Sequence, residues 1–450
     1  MQMRRWFTLT VARAMVVMSF VSACFGLTRP VSARRVAHPA QKLSSGGGGP
    51  MGLTFPIHDE TGLEEVSPAV AYNPDREEYL VVWYNDRAGC DDIQGQRMSK
   101  GGAPLGGPFF ISAGCDEDRG YPDVAYNSGQ DQYLVVWEQY ESTSGSSIQA
   151  RRVSGNGQVV DDTDIGIRGP GYNLYTPAKP AVAYASTSDR YLVVWQETSH
   201  PMPITYEIVG QRLTETGSSD GSRFTVSQGS EIRATPDVAY CRTRNEHLVA
   251  WRQASGGDYD IHARRVAGGG GALGSTVFVS TLGHDEEDPA VAALPLANQE
   301  GHYLVAWEID TGSDRGVMAR NVAVDSGGNT SFGLYRVVAN EPDDEVNPAV
   351  AGTEGGGRYL MTWNQLYVAD IGGGMGIVWL SIVGRELSPE GELLGDGLTR
   401  IGGVNATHSA VAGGPLGDFL VAFDDSVGDS GIYGRLWGNR VYLPLVVRRS

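Results

Sequence analysis

The chain has 450 residues, a formal charge of −18 at pH 7, 61 glycines and 22 prolines. An acidic surface of this kind repels phosphate groups and anionic lipid headgroups, which excludes nucleic acid and membrane surfaces as expected partners. The apolar residues occur in short β-branched and aromatic runs without helical periodicity, and this indicates an all-β chain that is rich in turns.

The N-terminal segment has the composition of an export signal. A basic start precedes an apolar stretch that is too short to span a bilayer comfortably, which predicts a signal peptide over residues 1–33 ending in a small-x-small sequence. The alternative is a lipid anchor, because the residues before Cys24 resemble a bacterial lipobox. Both alternatives predict a secreted or cell-surface protein without a transmembrane span in the mature chain. Residues 34–50 end in a glycine run and are expected to be a flexible linker.

The sequence YLVVW at residues 79–83 returns six more times, in slightly altered form, at intervals of about 56 residues. Both alternating sets of side chains in this segment are apolar, so both faces of the strand are expected to be buried. The aromatic residues that end the seven copies are expected to form the core of each repeat, and they are Trp83, Trp137, Trp195, Trp251, Trp307, Trp363 and Phe423.

Each repeat contains four apolar segments. The first has the pattern P-x-V-A-Y and starts at Pro68 in the first repeat, and the second is the YLVVW segment. The third follows the pattern I-x-G-Q-R-V, as at 93–98, and the fourth is shorter, as at 109–112. Four strands per unit, joined by Gly, Asn and Asp turns and repeated seven times, predict an all-β fold: a seven-bladed β-propeller of four-stranded antiparallel blades over residues 51–440.

One column of the third segment holds only glycine or alanine. We expect it to face a bulky neighbour, most economically the tryptophan of the adjacent strand or blade. Its members are Gly95, Ala150, Gly210, Ala263, Ala319, Gly384 and Gly434.

The ends of the repeat array predict how the ring closes. The seventh repeat has no obvious fourth segment, and residues 52–57 resemble the fourth segment of the sixth repeat at 397–401. We therefore expect the N-terminal segment to be the outer strand of the last blade, which removes free sheet edges. Residues 441–450 form an apolar tail outside the repeat, either a C-terminal segment like those of some exported bacterial proteins or an extra edge strand.

The combination of P-x-V-A-Y, Y-L-V-V-W and I-x-G-Q-R-V resembles the repeats of secreted bacterial propeller proteins of unassigned function. The chain lacks the Trp-Asp and Gly-His signals of WD40 blades, the Gly-Gly of kelch repeats and the Asp-box of sialidases. The resemblance therefore implies the propeller architecture and carries no catalytic residue to this chain.

Acidic residues precede the first strand of several repeats, and these loops are expected to open on one face of the ring. Clustered on one rim, they can hold Ca²⁺ or attract a cationic ligand, and the alternative is a solvated rim. The candidate residues are Asp59, Glu60, Asp116, Glu117, Asp118, Asp285, Glu286, Glu287, Asp288, Asp343, Asp344 and Glu345. No calcium-loop motif is present, so no cofactor is expected and calcium is the only candidate metal.

Two further features fall on the same expected face. Tyr172 and Tyr175 can provide an aromatic surface for a carbohydrate or peptide, with ordinary loop packing as the alternative. Cys90, between strands two and three of the first blade, and Cys115, in the loop into the second, are expected to be neighbours and to form a disulfide in an exported protein. Cys241 is expected to be a lone thiol.

These features favour an exported, monomeric propeller that binds a protein or glycan ligand at or outside the cell surface. The alternatives are a glycoside hydrolase or lyase that uses two rim or funnel carboxylates as acid and base, and a structural surface protein. An enzyme requires carboxyl groups that converge in the central funnel with raised pKa values, and this distinguishes it from a binding module.

Overall fold

The structure, a computed structural model, describes residues 48–438 except 61–63, 87–89, 116, 142–144, 171–174, 201, 297–299, 342, 354–356, 371–375, 404, 416 and 426–430. The predicted signal peptide and C-terminal tail, and all but the last three residues of the predicted linker, lie outside the described residues. The described residues belong to one compact unit, Ser44–Ser450. No helix able to cross a membrane is found in the described part of the chain.

All regular elements in the described ranges are β-strands. The strands of the N-terminal half are β1 (Gly49–His58), β2 (Glu64–Asn73), β3 (Glu78–Asp86), β4 (Asp92–Ser99), β5 (Phe109–Ser112), β6 (Glu117–Asn127), β7 (Gln132–Glu141), β8 (Gly145–Ser154), β9 (Ile165–Arg168), β10 (Tyr175–Ala185), β11 (Arg190–Ser199), β12 (Thr205–Thr214) and β13 (Phe224–Gly229). Those of the C-terminal half are β14 (Arg233–Cys241), β15 (Glu246–Ser255), β16 (Asp258–Ala267), β17 (Ala272–Ser280), β18 (Asp285–Pro295), β19 (Gly301–Asp310), β20 (Arg315–Val324), β21 (Thr330–Phe332), β22 (Arg336–Ala339), β23 (Glu345–Gly352), β24 (Tyr359–Asp370), β25 (Gly376–Leu387), β26 (Leu393–Gly402), β27 (Ser409–Gly413), β28 (Phe419–Asp425) and β29 (Gly431–Gly438).

These strands form seven antiparallel sheets, which confirms the predicted seven-bladed propeller. In sequence order the blades are β2–β5, β6–β9, β10–β13, β14–β17, β18–β22, β23–β26 and β27–β29 with β1; in the fifth blade β21 and β22 both pair with β20. The first strand of each blade contacts the first strand of the next, and β27 contacts β2. The first strands therefore form a closed inner ring around a central channel.

Strand β1 closes the ring as the sequence predicts. It pairs with β29 along most of its length, from Gly49 opposite Gly438 to His58 opposite Ile432. Ile57 is buried and packs in one cluster with Trp83 of the first blade, so β1 also seals the junction between the last blade and the first. The strand begins at Gly49, two residues before the predicted start of the propeller.

The aromatic residues that end the seven copies of the YLVVW segment lie in the core of the blades. The six tryptophans are fully buried and Phe423 is 1% exposed. The small-residue column of the third strand faces a bulky side chain, but the predicted neighbour is wrong. A Cβ added at Gly210 would lie 2.7 Å from Phe224 Cζ, and one at Gly434 would lie 2.6 Å from Phe55 Cε2. The neighbour is a side chain of the outer strand in the same blade, which approaches the third strand directly.

An arginine on the third strand ties each of five blades to the blade before it. Its guanidinium donates a hydrogen bond to a backbone carbonyl of the outer strand in the preceding blade. The pairs are Arg151 with Ile111 (2.7 Å), Arg264 with Val226 (2.7 Å), Arg320 with Val279 (2.7 Å), Arg385 with Val338 (3.4 Å) and Arg435 with Ile401. The Q/R position of the third motif is therefore a contact between blades.

Candidate functional site

The inner strand of six blades contains one residue in the left-handed conformation, immediately before the proline of the P-x-V-A-Y motif. These residues are Ser67 (φ 51°), Tyr121 (50°), Lys179 (49°), Thr235 (49°), Asp288 (44°) and Asn347 (54°). The pairing with the second strand shifts register at each of them, which defines a β-bulge. The conformation costs a non-glycine residue roughly 1–2 kcal/mol, and strained residues of this kind cluster at functional sites.

Four of the bulges are held by the preceding blade. The residue after the aromatic end of the YLVVW motif accepts a hydrogen bond from the backbone N–H of the bulge residue in the next blade. The pairs are Glu138 with Lys179 (3.1 Å), Gln196 with Thr235 (2.8 Å), Glu308 with Asn347 (3.3 Å) and Asp424 with Ser67 (3.4 Å). The backbone of these four bulges is therefore fixed by the packing of one blade on the next.

The bulge residues line a cavity of ≈ 430 Å³ in the central channel, together with the proline that follows each of them and with one or two residues after that proline. In the seventh blade His408 takes the place of the bulge residue. We call the seven residues at this position the mouth ring: Ser67, Tyr121, Lys179, Thr235, Asp288, Asn347 and His408. All seven can form hydrogen bonds, and their chemistry differs from blade to blade although the surrounding motif is nearly constant. A cavity lined by varied, convergent polar groups is typical of a ligand site.

Two carboxyl groups, of Asp123 and Asp237, line the same cavity two residues beyond the mouth ring. Asp123 accepts hydrogen bonds from its neighbour Val124 (2.8 Å) and from Val182 of the next blade (2.7 Å). Asp237 is held in the same way, by Val238 (2.8 Å) and by Val291 of the following blade (2.6 Å).

The environment raises the pKa of both groups. Burial raises the pKa of Asp123 to about 6, although its two backbone hydrogen bonds act in the opposite direction. Burial and the negative charge of Asp123 raise the pKa of Asp237 to about 7. Both carboxyl groups line one cavity, and the charge of Asp123 favours the protonated form of Asp237, so Asp237 can hold a proton while Asp123 is ionised.

Closure of the ring does not require these two acids. The other five blades carry alanine at the same position, and they close with the same strand pairing: Ala69, Ala181, Ala290, Ala349 and Ala410. This position is the variable residue of P-x-V-A-Y, and neither aspartate was among the site residues predicted from the sequence. The signal was present, because only the second and fourth repeats contain P-D-V-A-Y.

Replacing Asp237 by alanine should change the pH dependence of stability in a defined direction. An unfolded aspartate has a pKa of about 3.9, whereas that of folded Asp237 is about 7. The folded state therefore binds the proton more tightly, and ionisation of Asp237 destabilises the fold as the pH rises from about 4 to about 7. Alanine has no such penalty. The unfolding free energy of Asp237→Ala minus that of wild type should increase over this window by on the order of 3 kcal/mol, as measured by urea unfolding.

Asp123→Ala serves as the matched comparison and should show the same trend with a smaller amplitude, since the pKa of Asp123 is raised less. A difference that does not vary with pH would contradict the raised pKa of Asp237.

Charged groups stand on different sides of the mouth ring. The ammonium nitrogen of Lys179 lies 4.9 Å from the centroid of the Tyr121 ring, on blades three and two. Burial raises the pKa of Tyr121, with smaller contributions from the negative charges of Glu138 and of Asp288 on blade five. Tyr121 therefore remains a neutral hydroxyl at physiological pH, and Asp288 is within electrostatic reach of it across the channel.

His408 is oriented by a buried carboxylate. Its Nδ1 lies 3.1 Å from Asp424 Oδ2, and Thr407 Oγ1 donates to the same oxygen at 2.9 Å. Burial alone would raise the pKa of Asp424, but the hydrogen bond and charge of His408 and two backbone N–H groups hold it below its usual value. With Nδ1 engaged, the second ring nitrogen of His408 is available to a ligand in the cavity.

Of the predicted rim acids that the structure describes, only Asp288 lines the cavity. Three others are engaged locally: Asp59 accepts from Tyr433 (3.2 Å), Glu287 pairs with Arg252 (2.6 Å) and Glu117 pairs with Arg119. Glu60, Asp118 and Asp285 are exposed, and Asp343 and Asp344 are partly exposed. Asp116 lies outside the described residues.

Glu286 and Glu345 are not rim residues, and for them the prediction is wrong. Both belong to strands, β18 and β23, and both are fully buried. Glu286 accepts a hydrogen bond from Ser280, and Glu345 accepts one from Gln365 (3.3 Å). Burial raises the pKa of Glu286 to about 7 and that of Glu345 to about 8. Each of the two side chains points toward the buried interior, since alternate residues of a strand face inward.

Tyr175 is 36% exposed and lies within an ion cluster. The guanidinium carbons of Arg168 and Arg223 lie 5.1 Å and 5.9 Å from the centroid of its ring. Both arginines donate to Glu197 at 2.8 Å. This side chain is packed by one cation from blade two and one from blade three, and it does not line the channel cavity. Tyr172 lies outside the described residues.

The predicted disulfide is present, since Cys90 and Cys115 are joined with an S–S distance of 2.06 Å. It links the loop between strands two and three of the first blade to the segment that enters the second. Cys241 is buried and free. Among the described residues, no three His, Cys, Asp or Glu side chains are grouped as metal ligands would be. Calcium binding stays a prediction.

No protein-family model and no curated protein matches the sequence. Among solved structures, an ulvan lyase of polysaccharide lyase family PL25 has a TM-score of 0.50 at 12% identity, covering 88% of this chain and 95% of the lyase. The α-L-arabinofuranosidase Arb93A from Fusarium graminearum, in complex with an iminosugar inhibitor, has a TM-score of 0.46 at 13% identity, covering 74% and 98% of the two chains. A prolyl endopeptidase has a TM-score of 0.45 at 10% identity, covering 84% of this chain and 47% of the peptidase. At these identities the similarity concerns the fold alone.

Proposed function

We propose that the protein is a carbohydrate-active enzyme that cleaves a glycosidic bond at the channel mouth. The observation that carries this proposal is the pair of channel carboxyl groups with pKa values of about 6 and about 7. Between these values Asp237 holds a proton and Asp123 is ionised. A protonated and an ionised carboxyl group in one cavity can act as general acid and general base at opposite sides of a scissile bond.

The mouth ring supplies the means to hold a sugar. A saccharide presents many hydroxyl groups, and the ring places hydroxyl, amide, imidazole, ammonium and carboxylate groups around one cavity of ≈ 430 Å³. Such a cavity is within the usual size range of small-ligand sites. The ulvan lyase that shares the fold acts on a polysaccharide, which makes this substrate class the first to test.

Export agrees with this role. The N-terminal sequence has the pattern of a signal peptide, and the Cys90–Cys115 disulfide is typical of proteins that mature in an oxidising compartment. A secreted or surface-attached monomer would meet polymeric glycans outside the cell.

A second candidate function is glycan binding without catalysis. It is favoured by the backbone hydrogen bonds to both aspartates, because each carboxyl oxygen already accepts one N–H group. Carboxyl groups held in this way can link neighbouring blades without taking part in catalysis.

The test is a screen of the full chain against neutral, acidic and sulfated polysaccharides, with reducing ends and unsaturated ends measured separately. New reducing ends without unsaturation indicate hydrolysis, and unsaturated ends indicate elimination. We expect cleavage of at least one substrate, and loss of that activity in the Asp123→Ala/Asp237→Ala double variant. Binding without cleavage by wild type would favour the binding module instead.

A further inference from the structure

Lys179 differs from the other described lysine in its surroundings. Lys100 lies in an exposed turn, where its ammonium group pairs with Glu77 at 2.6 Å. The ammonium group of Lys179 lies beside Tyr121, and Lys179 lines the channel cavity. It forms no salt bridge with any residue that the structure describes, although the buried carboxyl group of Glu138 feels its charge. In a chain of net charge −18, a cation that lines a ligand-sized cavity and has no direct salt bridge among the described residues is suited to a ligand that carries negative charge.

The backbone holds this lysine in place. Lys179 has φ 49°, a conformation that glycine would adopt without strain. Its N–H group donates to Glu138 at 3.1 Å, and the register of the inner strand shifts between Ala178 and Ala181. The bulge therefore fixes the direction in which the side chain leaves the strand, and the aromatic face of Tyr121 supports the cation.

The rest of the mouth ring would orient an acidic ligand. Asp288 and Asn347 stand on blades five and six, away from Lys179 on blade three. The Asp288 carboxylate repels an anion but accepts hydrogen bonds from sugar hydroxyl groups. An acidic saccharide is therefore expected to direct its charged group toward blades two and three and its neutral hydroxyl groups toward blades five and six.

We infer that Lys179 and Tyr121 form a subsite for a carboxylate or sulfate group, so that the substrate is an acidic glycan. The inference rests on the proposed function for the saccharide part of the ligand. Both groups carry oxygen anions that accept charge-assisted hydrogen bonds from an ammonium group, which are stronger than neutral ones.

The test compares three probes by calorimetric titration of the full chain carrying Asp123→Ala and Asp237→Ala, so that no probe is consumed. The probes are tetragalacturonate, a κ-carrageenan tetrasaccharide and neutral cellotetraose. At least one acidic probe should bind about 10-fold or more tightly than cellotetraose, and which one distinguishes a carboxylate from a sulfate site. Lys179→Gln should remove this preference, Lys179→Arg should keep most of it, and Lys100→Gln should leave it unchanged.

Equal affinity for all three probes, no binding of either acidic probe, or an unchanged preference in Lys179→Gln would each overturn the subsite. The outcome is independent of catalysis. An acidic preference that depends on Lys179, in a protein that cleaves nothing, would support the subsite and reject the proposed enzyme. Cleavage of a neutral glycan only would support the enzyme and reject the subsite.

Discussion

Deletion of residues 49–58 is expected to lower the melting temperature by roughly 10 °C or more. These residues form β1, the outer strand of the last blade, and no other described strand pairs with that side of β29. The deletion removes Ile57, which is 6% exposed, and Phe55, whose ring packs against Gly434 and Gly102. Loss of two large apolar side chains from packed positions costs roughly 5–10 kcal/mol together, before the lost ladder hydrogen bonds are counted.

Two variants separate closure from the general effect of shortening the chain. Leu53 lies on the same strand but is 85% exposed, so Leu53→Ser should leave the melting temperature nearly unchanged. Phe55→Ala/Ile57→Ala should reproduce most of the loss while the strand remains. Differential scanning calorimetry measures all three proteins. A change of one or two degrees on deletion would show that the ring does not depend on β1.

The fold could be predicted from the sequence because its periodic signals are local and redundant. Seven copies of one apolar pentapeptide fix the number of blades, and the absence of a fourth segment after residue 437 identifies the strand that must come from the N-terminus. The Cys90–Cys115 bridge followed from the same topology, because loops of known order must share a face. Errors of a few residues in strand boundaries do not affect these conclusions.

The site could not be predicted in the same way. Side-chain direction is inferred from the alternation of residues along a strand, and the bulge interrupts that alternation. Between Gly120 and Asp123 the register shifts by one residue, so counting by two along the motif assigns the aspartate to the wrong face. The acids of β18 and β23 show the converse error. Glu286 and Glu345 lie in charged stretches that look like loops, but they are strand residues that face inward.

The mouth ring adds a second reason. Its seven side chains come from positions about 56 residues apart, and each alone looks like an ordinary polar residue, six of them before a proline and His408 before a serine. Only the closed ring brings them around one cavity. A ligand site of this kind is indicated by repeats that are nearly constant in their core and variable at one position that faces the channel. In this chain that position lies immediately before the P-x-V-A-Y motif.

Removal of the Asp237 carboxyl group is expected to reduce the rate of glycan cleavage by about 100- to 10,000-fold, which is the usual effect of losing one general acid or base. Alanine is the appropriate replacement, since five blades carry it at this position without loss of the fold. Asp123→Ala should cause a loss of similar size, and the double variant little more, because an acid and a base that act in the same step are not additive.

The control is Glu345→Gln. Burial raises the pKa of Glu345 to about 8, but this side chain is fully buried and does not line the cavity. Its replacement should therefore leave the rate unchanged even if stability falls. Circular dichroism of each variant establishes that a loss of rate is not a loss of fold.

The pH dependence of the rate follows from the same pair. Below about pH 6 both carboxyl groups are protonated and no base is present, whereas above about pH 7 both are ionised and no acid is present. The rate should rise as the pH passes about 6 and fall as it passes about 7, which gives a narrow bell-shaped pH profile. Both limbs of the profile are properties of the coupled pair of carboxyl groups. In Asp237→Ala the residual rate should lose the alkaline limb, because the acid that titrates there is gone. An alkaline limb that persists in this variant would assign the proton to another group, and the oriented His408 would be the next residue to replace.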